Sequence, residues 1–262
     1  MVVGVLDAPI ATSLDRRVAA ELDAVVAEAD RLVADGADIL EVGAMERASE
    51  RPVAEAEALD HVAAVVAALT ARFDVPISIG TTQSSVASAA YAAGAIVGDD
   101  PSGFADSNYL RVAADAGASV GITHIGRSHG PSRLDPDPSQ GDVVDDVLAF
   151  LTDRAACAES AGIPRERIII DAGLGLGKNE VQSLALLRAS DRLAALGCAL
   201  RVTASSPGFL DHLPGFGGGD QRGGIKAAHA LAIALGSRIL RARDVRTARR
   251  VADVMAAVLE AA

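Results

Sequence analysis

The chain has 262 residues, half of them apolar, 3% aromatic and none Trp, with a net charge of −11. A core without large rings has to be built from Ala, Val, Leu and Ile, which suits parallel strands covered by helices, and the length suits one large domain. The negative charge argues against nucleic acid or an anionic membrane as partner, and no apolar run in the sequence is long enough to span a bilayer.

Short apolar runs alternate with longer helical patterns from end to end. The first run, residues 2–6, leads into a helical pattern over 22–33 that stops at Asp35-Gly36. Runs at 39–42, 77–79, 95–97, 119–123, 168–170, 199–202 and 238–240 follow. Between and after them lie helical patterns such as 144–160 and 242–259, with apolar residues at i, i+3 and i+4. Helix stops recur at Ala93-Gly94, Ala116-Gly117, Ala161-Gly162, Leu196-Gly197 and Leu235-Gly236. Eight strand-then-helix units in this length predict a TIM (β/α)8 barrel, with an open doubly wound sheet as the runner-up. No composition shift divides residues 1–262, which read as a single domain. Cys157 and Cys198 have no metal-ligand spacing and read as reduced thiols. The opening residues are too short and lack the basic start of a signal peptide, so a cytoplasmic location is expected.

A barrel places its chemistry on the loops that follow the strands. Those positions hold Asp7, then Glu41 to Arg47, Gly80 and Thr81, and Asp99-Asp100. Next come His124 and Arg127, Asp171 to Lys178, Ser205 and Ser206, and Arg241 to Asp244. Carboxylates dominate one side and arginines the other, which suits a ligand with a donor or cationic end and an anionic end.

The most informative stretch is Ile168-Ile-Ile-Asp171-Ala-Gly173-Leu-Gly175-Leu-Gly177-Lys178. An apolar strand runs into a carboxylate, three alternate glycines and a lysine, so Asp171 stands at a strand tip beside a loop that a ligand can approach closely. A Walker loop is excluded by Ala172 and Asn179, and the G-x-G-x-G spacing is not the dinucleotide fingerprint.

That stretch resembles the D-P-G-x-G-F-G-K segment of the dihydropteroate synthase (pterin-binding) family. Further matches follow along the chain: Gly4-Val-Leu6 to G-I-L-N, Gly36-Ala-Asp-Ile-Leu-Glu-Val-Gly43 to G-A-D-I-I-D-V-G, Ala93 to Gly103 to A-G-A-D-I-I-N-D-V-S-G, and Ile239 to Val245 to L-R-V-H-D-V. In that family, diphosphate leaves hydroxymethyl-dihydropterin diphosphate with magnesium assistance, and p-aminobenzoate attacks the resulting carbon. The resemblance implies that Asp171 and Asp99 bind the pterin, with Asp100 beside them, and that Arg241 lies in the anion pocket. It puts Asp7 where a metal- and diphosphate-binding Asn stands, which makes Mg2+ a candidate cofactor with Asp7 as its ligand. It also implies a homodimer.

The departures are informative. The family's strand-3 Asp is Gly80, its strand-7 Lys is Pro207 with Ser206 before it, its closing His is Arg243, and its loop Phe is Leu176. The strand-2 loop E-S-T-R-P has become Met45-Glu-Arg-Ala-Ser, and the strand-1 loop lacks T-P-D-S-F-S. Losing one buried bond to each of the two missing charges costs about 3–6 kcal/mol, roughly a hundred- to ten-thousand-fold in pterin affinity.

The candidate catalytic residues are therefore Asp171, Asp99, Asp100 and His124. Asp99 and Asp100 are adjacent acids that could share a proton or a cation, and His124 is an acid or base at the end of strand 5. The candidate substrate-binding residues are Asp7, Asp99, Asp171, Gly173, Lys178, Ser205, Arg241 and Arg243. Of the two arginines, Arg241 is the one expected to face the pocket. Lys178 either reaches an anion or sits in the first turn of the next helix with its head in water. His61 and His229 fall in helical patterns and read as structural. Residues 215–224, rich in glycine, read as a loop that closes over a ligand or simply connects. The leading expectation is a divergent dihydropteroate synthase-like transferase acting on a small pterin-like or other anionic heteroaromatic molecule. The alternatives are an authentic dihydropteroate synthase of folate biosynthesis and a non-catalytic ligand- or partner-binding barrel.

Overall fold

A computed structural model describes residues 1–7, 17–43, 55–126, 142–204 and 222–261. Eight parallel strands close into a barrel in chain order: β1 (Val2–Asp7), β2 (Ile39–Gly43), β3 (Ile77–Gly80), β4 (Val97–Asp100), β5 (Ser119–Thr123), β6 (Ile168–Asp171), β7 (Ala199–Val202) and β8 (Ile239–Ala242). The closing pair sets Val3 of β1 against Arg241 of β8. Helices follow the strands: α1 (Arg17–Ala34), α2 (Glu55–Arg72), α3 (Ser84–Ala92), α4 (Tyr109–Asp115), α5 (Val143–Ser160), the pair α6 (Glu180–Arg188) and α7 (Ser190–Ala194), α8 (Arg222–Ala234) and α9 (Val245–Glu260). This is the TIM barrel that the alternation of strand and helix patterns predicts.

Two boundaries differ from expectation in ways that matter for the site. Strand β4 begins at Val97 rather than at 95 and runs through Asp99 and Asp100, while Ile96 before it is half exposed. Strand β8 extends to Ala242, so Arg241 is a strand residue and the last helix starts at Val245, with the Asp244 side chain accepting from Thr247 N. Helix α8 starts at Arg222, so Gly223 and Gly224 are helical, while residues 205–221 lie outside the described residues.

Strand alternation sorts the side chains into two layers. Facing the helices, residues such as Leu40, Ile79, Val120, Ile170 and Leu240 are buried against helix side chains such as Leu69, Val147 and Leu186. Facing inward, Val3, Ile39 and Ile239, packed with Ile169 and Ala199, plug one end of the barrel. Beneath that plug Val2 N donates to Asp38 Oδ2 at 2.6 Å, and Arg249 of α9 holds the same carboxyl group from 3.1 Å. The opposite, C-terminal end carries polar side chains, and both cysteines are free thiols.

Candidate active site

Above the apolar plug the inward positions hold charges. Glu41 (β2), Asp99 (β4), Asp171 (β6), Arg201 (β7) and Arg241 (β8) stand together with Thr123 at the end of β5 and Thr203 just beyond β7. Arg201 is the centre of this group, and its side chain is 3% exposed. Its Nε donates to Asp171 Oδ2 at 3.0 Å. Its Nη2 donates to Asp99 Oδ1 and to Thr123 Oγ1, each at 2.8 Å. Its Nη1 stands 3.8 Å from Glu41 Oε2. Arg241 donates through Nε and Nη2 to the other oxygen of Glu41.

Such a group survives burial only because each charge has a partner. Burial alone would lower the pKa of Arg201, and the carboxylates of Asp99, Asp171 and Glu41 more than reverse this, so it ends above arginine's ordinary range. One glycine, Gly121, makes room for the arrangement. A Cβ at Gly121 would come within 2.3 Å of Asp99 Oδ1, so only bare backbone lets Asp99 reach Arg201. At Gly80, where the resembling family carries an Asp, a Cβ would stand 3.8 Å from Glu41 Oε1 and meet no clash. Glu41 is 2% exposed, and its Oε2 makes no hydrogen bond.

The glycine loop after β6 is ordered by its own backbone. Asp171 Oδ1 accepts from Gly173 N at 2.8 Å, and Oδ2 accepts from Thr203 Oγ1 at 2.8 Å as well as from Arg201. Gly173 has φ +65°, and a Cβ there would lie 2.1 Å from the carbonyl oxygen of His124, so both the turn and the close approach require glycine. Lys178 is 3% exposed and donates to the carbonyls of His124, Gly173 and Leu176 at 2.9–3.1 Å. Burial brings its pKa down to about 7, against the opposing pull of Asp171. The ammonium thus ties the glycine loop to the exit of β5, and neither of the two positions expected for it is the one observed.

Several sequence candidates fall elsewhere. Adjacent residues on a strand point to opposite faces, so Asp99 and Asp100 do not share a proton or a cation. Asp100 is fully buried and accepts from Ser102 N and Oγ at 2.7 and 2.6 Å and from Phe104 N at 3.0 Å, fixing the turn after β4. Burial pushes its carboxyl pKa up, and the Ser102 and Phe104 donors offset part of that shift. His124 is likewise not brought to the carboxylates: its ring packs edge-on against Phe150 of α5 with centroids 4.9 Å apart. Burial, aided by the charge of Lys178, lowers its pKa to about 4, so it is neutral at pH 7. Arg243 lies beyond the end of β8 and is exposed, outside the charge group. Ser205, Ser206, Pro207 and Arg127 lie outside the described residues, as does the side chain of Asp7, whose backbone pairs with Gly43 at the barrel rim. Among the described residues no group of three His, Cys, Asp or Glu side chains is placed to hold a metal ion, and the three barrel carboxylates surround a guanidinium instead.

Arg201, Thr123 and Thr203 were not among the sequence candidates, and Glu41 appeared only as the start of a loop. The signal for Arg201 is an arginine inside the strand Ala199-Leu-Arg-Val, where alternation puts it on the inner face in register with Asp171.

With this geometry in view, the relatives are informative. Residues 10–243 match the family described as pterin binding enzyme, and the chain belongs to that family. It is 33% identical over 240 residues to the "inactive dihydropteroate synthase 2" of Mycobacterium leprae, covering 90% of this chain and 82% of that one. It is 37% identical over 230 residues to a "probable bifunctional folylpolyglutamate synthase/dihydropteroate synthase" of Haloferax volcanii, covering 86% of this chain but spanning only 26% of that longer protein. The structure superposes on the dihydropteroate synthase of Yersinia pestis in its sulfonamide drug complex with a TM-score of 0.86 at 27% identity, covering 100% of this chain and 94% of that one. The barrel is therefore of the dihydropteroate synthase-like transferase type. No helix among the described residues is long and apolar enough to cross a membrane.

Proposed function

We propose that this chain is a divergent dihydropteroate synthase-like enzyme of the cytoplasm, acting on a small pterin-like or other anionic heteroaromatic molecule at the C-terminal mouth of the barrel. The observation that carries this reading is Arg241. Its side chain remains 28% exposed while its Nε and one Nη are anchored on buried Glu41, which fixes the guanidinium and leaves donors for an anion at the mouth. Asp99, 7% exposed, is the least sealed of the three barrel carboxylates and offers an acceptor to the ring of such a ligand. Asp7 at the rim is the residue that would hold Mg2+ beside a diphosphate. When bound, the metal would neutralise the leaving anion. Divergence from the ancestral reaction is supported by Gly80 in β3 and by the likeness to the mycobacterial protein named inactive.

Calorimetric titration with inorganic pyrophosphate, with and without Mg2+, tests the reading. Binding that weakens at least tenfold in Arg241→Ala is expected, equivalent to about 1.4 kcal/mol or more. No binding at millimolar pyrophosphate under either condition overturns it. Product from hydroxymethyl-dihydropterin diphosphate and p-aminobenzoate would instead establish the ancestral synthase reaction.

The same reading includes a homodimer, whose support is the outer face of α8 and α9. Val251, Val254, Met255 and Val258 repeat at i, i+3, i+4 and i+7 on α9, and Val254 and Val258 are 62% and 60% exposed. Ala227 and Ala230 of α8 continue that apolar surface, and a second copy of this chain is the occupant that the family resemblance implies. Light scattering behind a sizing column is expected to give twice the chain mass, and Val254→Asp to give monomer. A monomeric wild type at tens of micromolar removes the dimer from the reading.

A further inference from the structure

We propose that Arg201 acts as an internal substitute for the guanidine-like edge of an aminopyrimidinone ligand, so that the pocket selects heteroaromatic anions that lack this edge. This rests on the reading of the site as a heteroaromatic anion pocket.

The amino group and adjacent ring N–H of a 2-amino-4-oxo heterocycle present parallel donors on an N–C–N unit, and a carboxylate recognises such a pair as it recognises arginine. In this chain the donor pattern is already supplied from within. Arg201 spans from Asp171 Oδ2 at 3.0 Å to Asp99 Oδ1 at 2.8 Å, and Thr123 fixes the same Nη2 at 2.8 Å. Asp171 is 1% exposed, and its remaining oxygen takes Gly173 N at 2.8 Å. A ligand bringing a second guanidine-like edge would have to expel a buried guanidinium from three carboxylates, leaving it without a counter-charge. The barrel is built to keep it in place, since Gly121 clears the path from Asp99 to Arg201 and Thr203 braces Asp171 from the side. Arg201 is thus a specificity-determining residue: it does not exclude a ring from the mouth, but it removes the reward for a 2-amino group on that ring.

The test compares pterin (2-amino-4-oxo) with lumazine (2,4-dioxo) by calorimetry against wild type and Arg201→Ala. Wild type is expected to bind pterin no more tightly than lumazine, and Arg201→Ala to gain at least tenfold for pterin with no comparable gain for lumazine. Arg201→Lys keeps a buried cation but loses the two-ended fork, and supplies the same comparison should the alanine variant not fold. A wild-type preference for pterin of tenfold or more overturns the proposal, as does an opened variant that gains nothing for pterin. If wild type binds pyrophosphate through Arg241 while the opened variant gains no pterin, this inference fails and the anion pocket stands. If the opened variant gains pterin while wild type binds neither pyrophosphate nor either ring, the inference holds and the broader reading fails.

Discussion

Arg201→Met is expected to destabilise the fold by about 3–5 kcal/mol, the range for removing one partner of a buried ion pair. The side chain is 3% exposed and stands within 3.8 Å of Glu41, Asp99 and Asp171. Methionine fills much the same volume, so the loss would come from uncompensated charge rather than from a cavity. In urea the midpoint should fall without a change of slope, and a domain of this size should lose about 10 °C in Tm. The sharper measurement is the double variant. Adding Asp99→Asn removes one of the stranded carboxylates, so the pair should be more stable than the sum of the two single losses by about 1 kcal/mol or more. Additive losses would mean that Asp99 and Arg201 do not sense each other, and the charge group would have to be redrawn.

What the sequence conveys about this molecule follows from where its physical signals are local. The strands are apolar runs of four to six residues bounded by glycine turns, and Gly36, Gly94, Gly117, Gly162, Gly197 and Gly236 all take the left-handed conformation that their helix-stop role requires. Strand β4 is the informative exception. Two consecutive aspartates look like the start of a loop, but one is balanced by Arg201 inside the barrel and the other by the Ser102 and Phe104 donors outside it. The first comes from 102 residues away, and the second, though only two to four residues on, rests largely on backbone N–H groups that residue identity does not reveal. The same blindness applies to the site. Reading only the residues after each strand finds Asp171, Asp99 and Arg241 and passes over Arg201, because its meaning depends on register with Asp171, thirty residues away. His124 and Thr123 show the converse: one step along β5 exchanges the inner face for the helix layer, so the threonine meets Arg201 and the histidine meets Phe150. Lys178 follows a glycine loop in a way that suggests anion binding, yet its three carbonyl partners come from the backbone's own turns, which residue identity does not encode.

His229→Leu is expected to flatten the loss of stability in acid. His229 lies in α8, is 1% exposed, and neither ring nitrogen has a hydrogen-bond partner. Burial lowers its pKa to about 4 from an ordinary 6.5. Between those two values the unfolded chain binds a proton that the native protein refuses, so stability rises with pH across this window. The contribution is fully present above pH 6.5 and is lost as the pH falls through 6.5 toward 4, about 3 kcal/mol in all and about 2 kcal/mol by pH 5. His124, whose pKa burial also lowers to about 4, pulls in the same direction by a similar amount. Leucine has nearly the volume of histidine and leaves no unpaired nitrogen, so at pH 7.5 the variant should match or exceed wild type. At pH 5 it should exceed wild type by about 2 kcal/mol in urea unfolding, because it has no proton to refuse. Parallel stability curves for the two proteins between pH 5 and 7.5 would show that His229 binds its proton equally in the native and unfolded states. An imidazolium that forms as readily in α8 as in water would need a partner within reach, and the acid sensitivity would fall instead on His124, whose pKa burial also lowers to about 4.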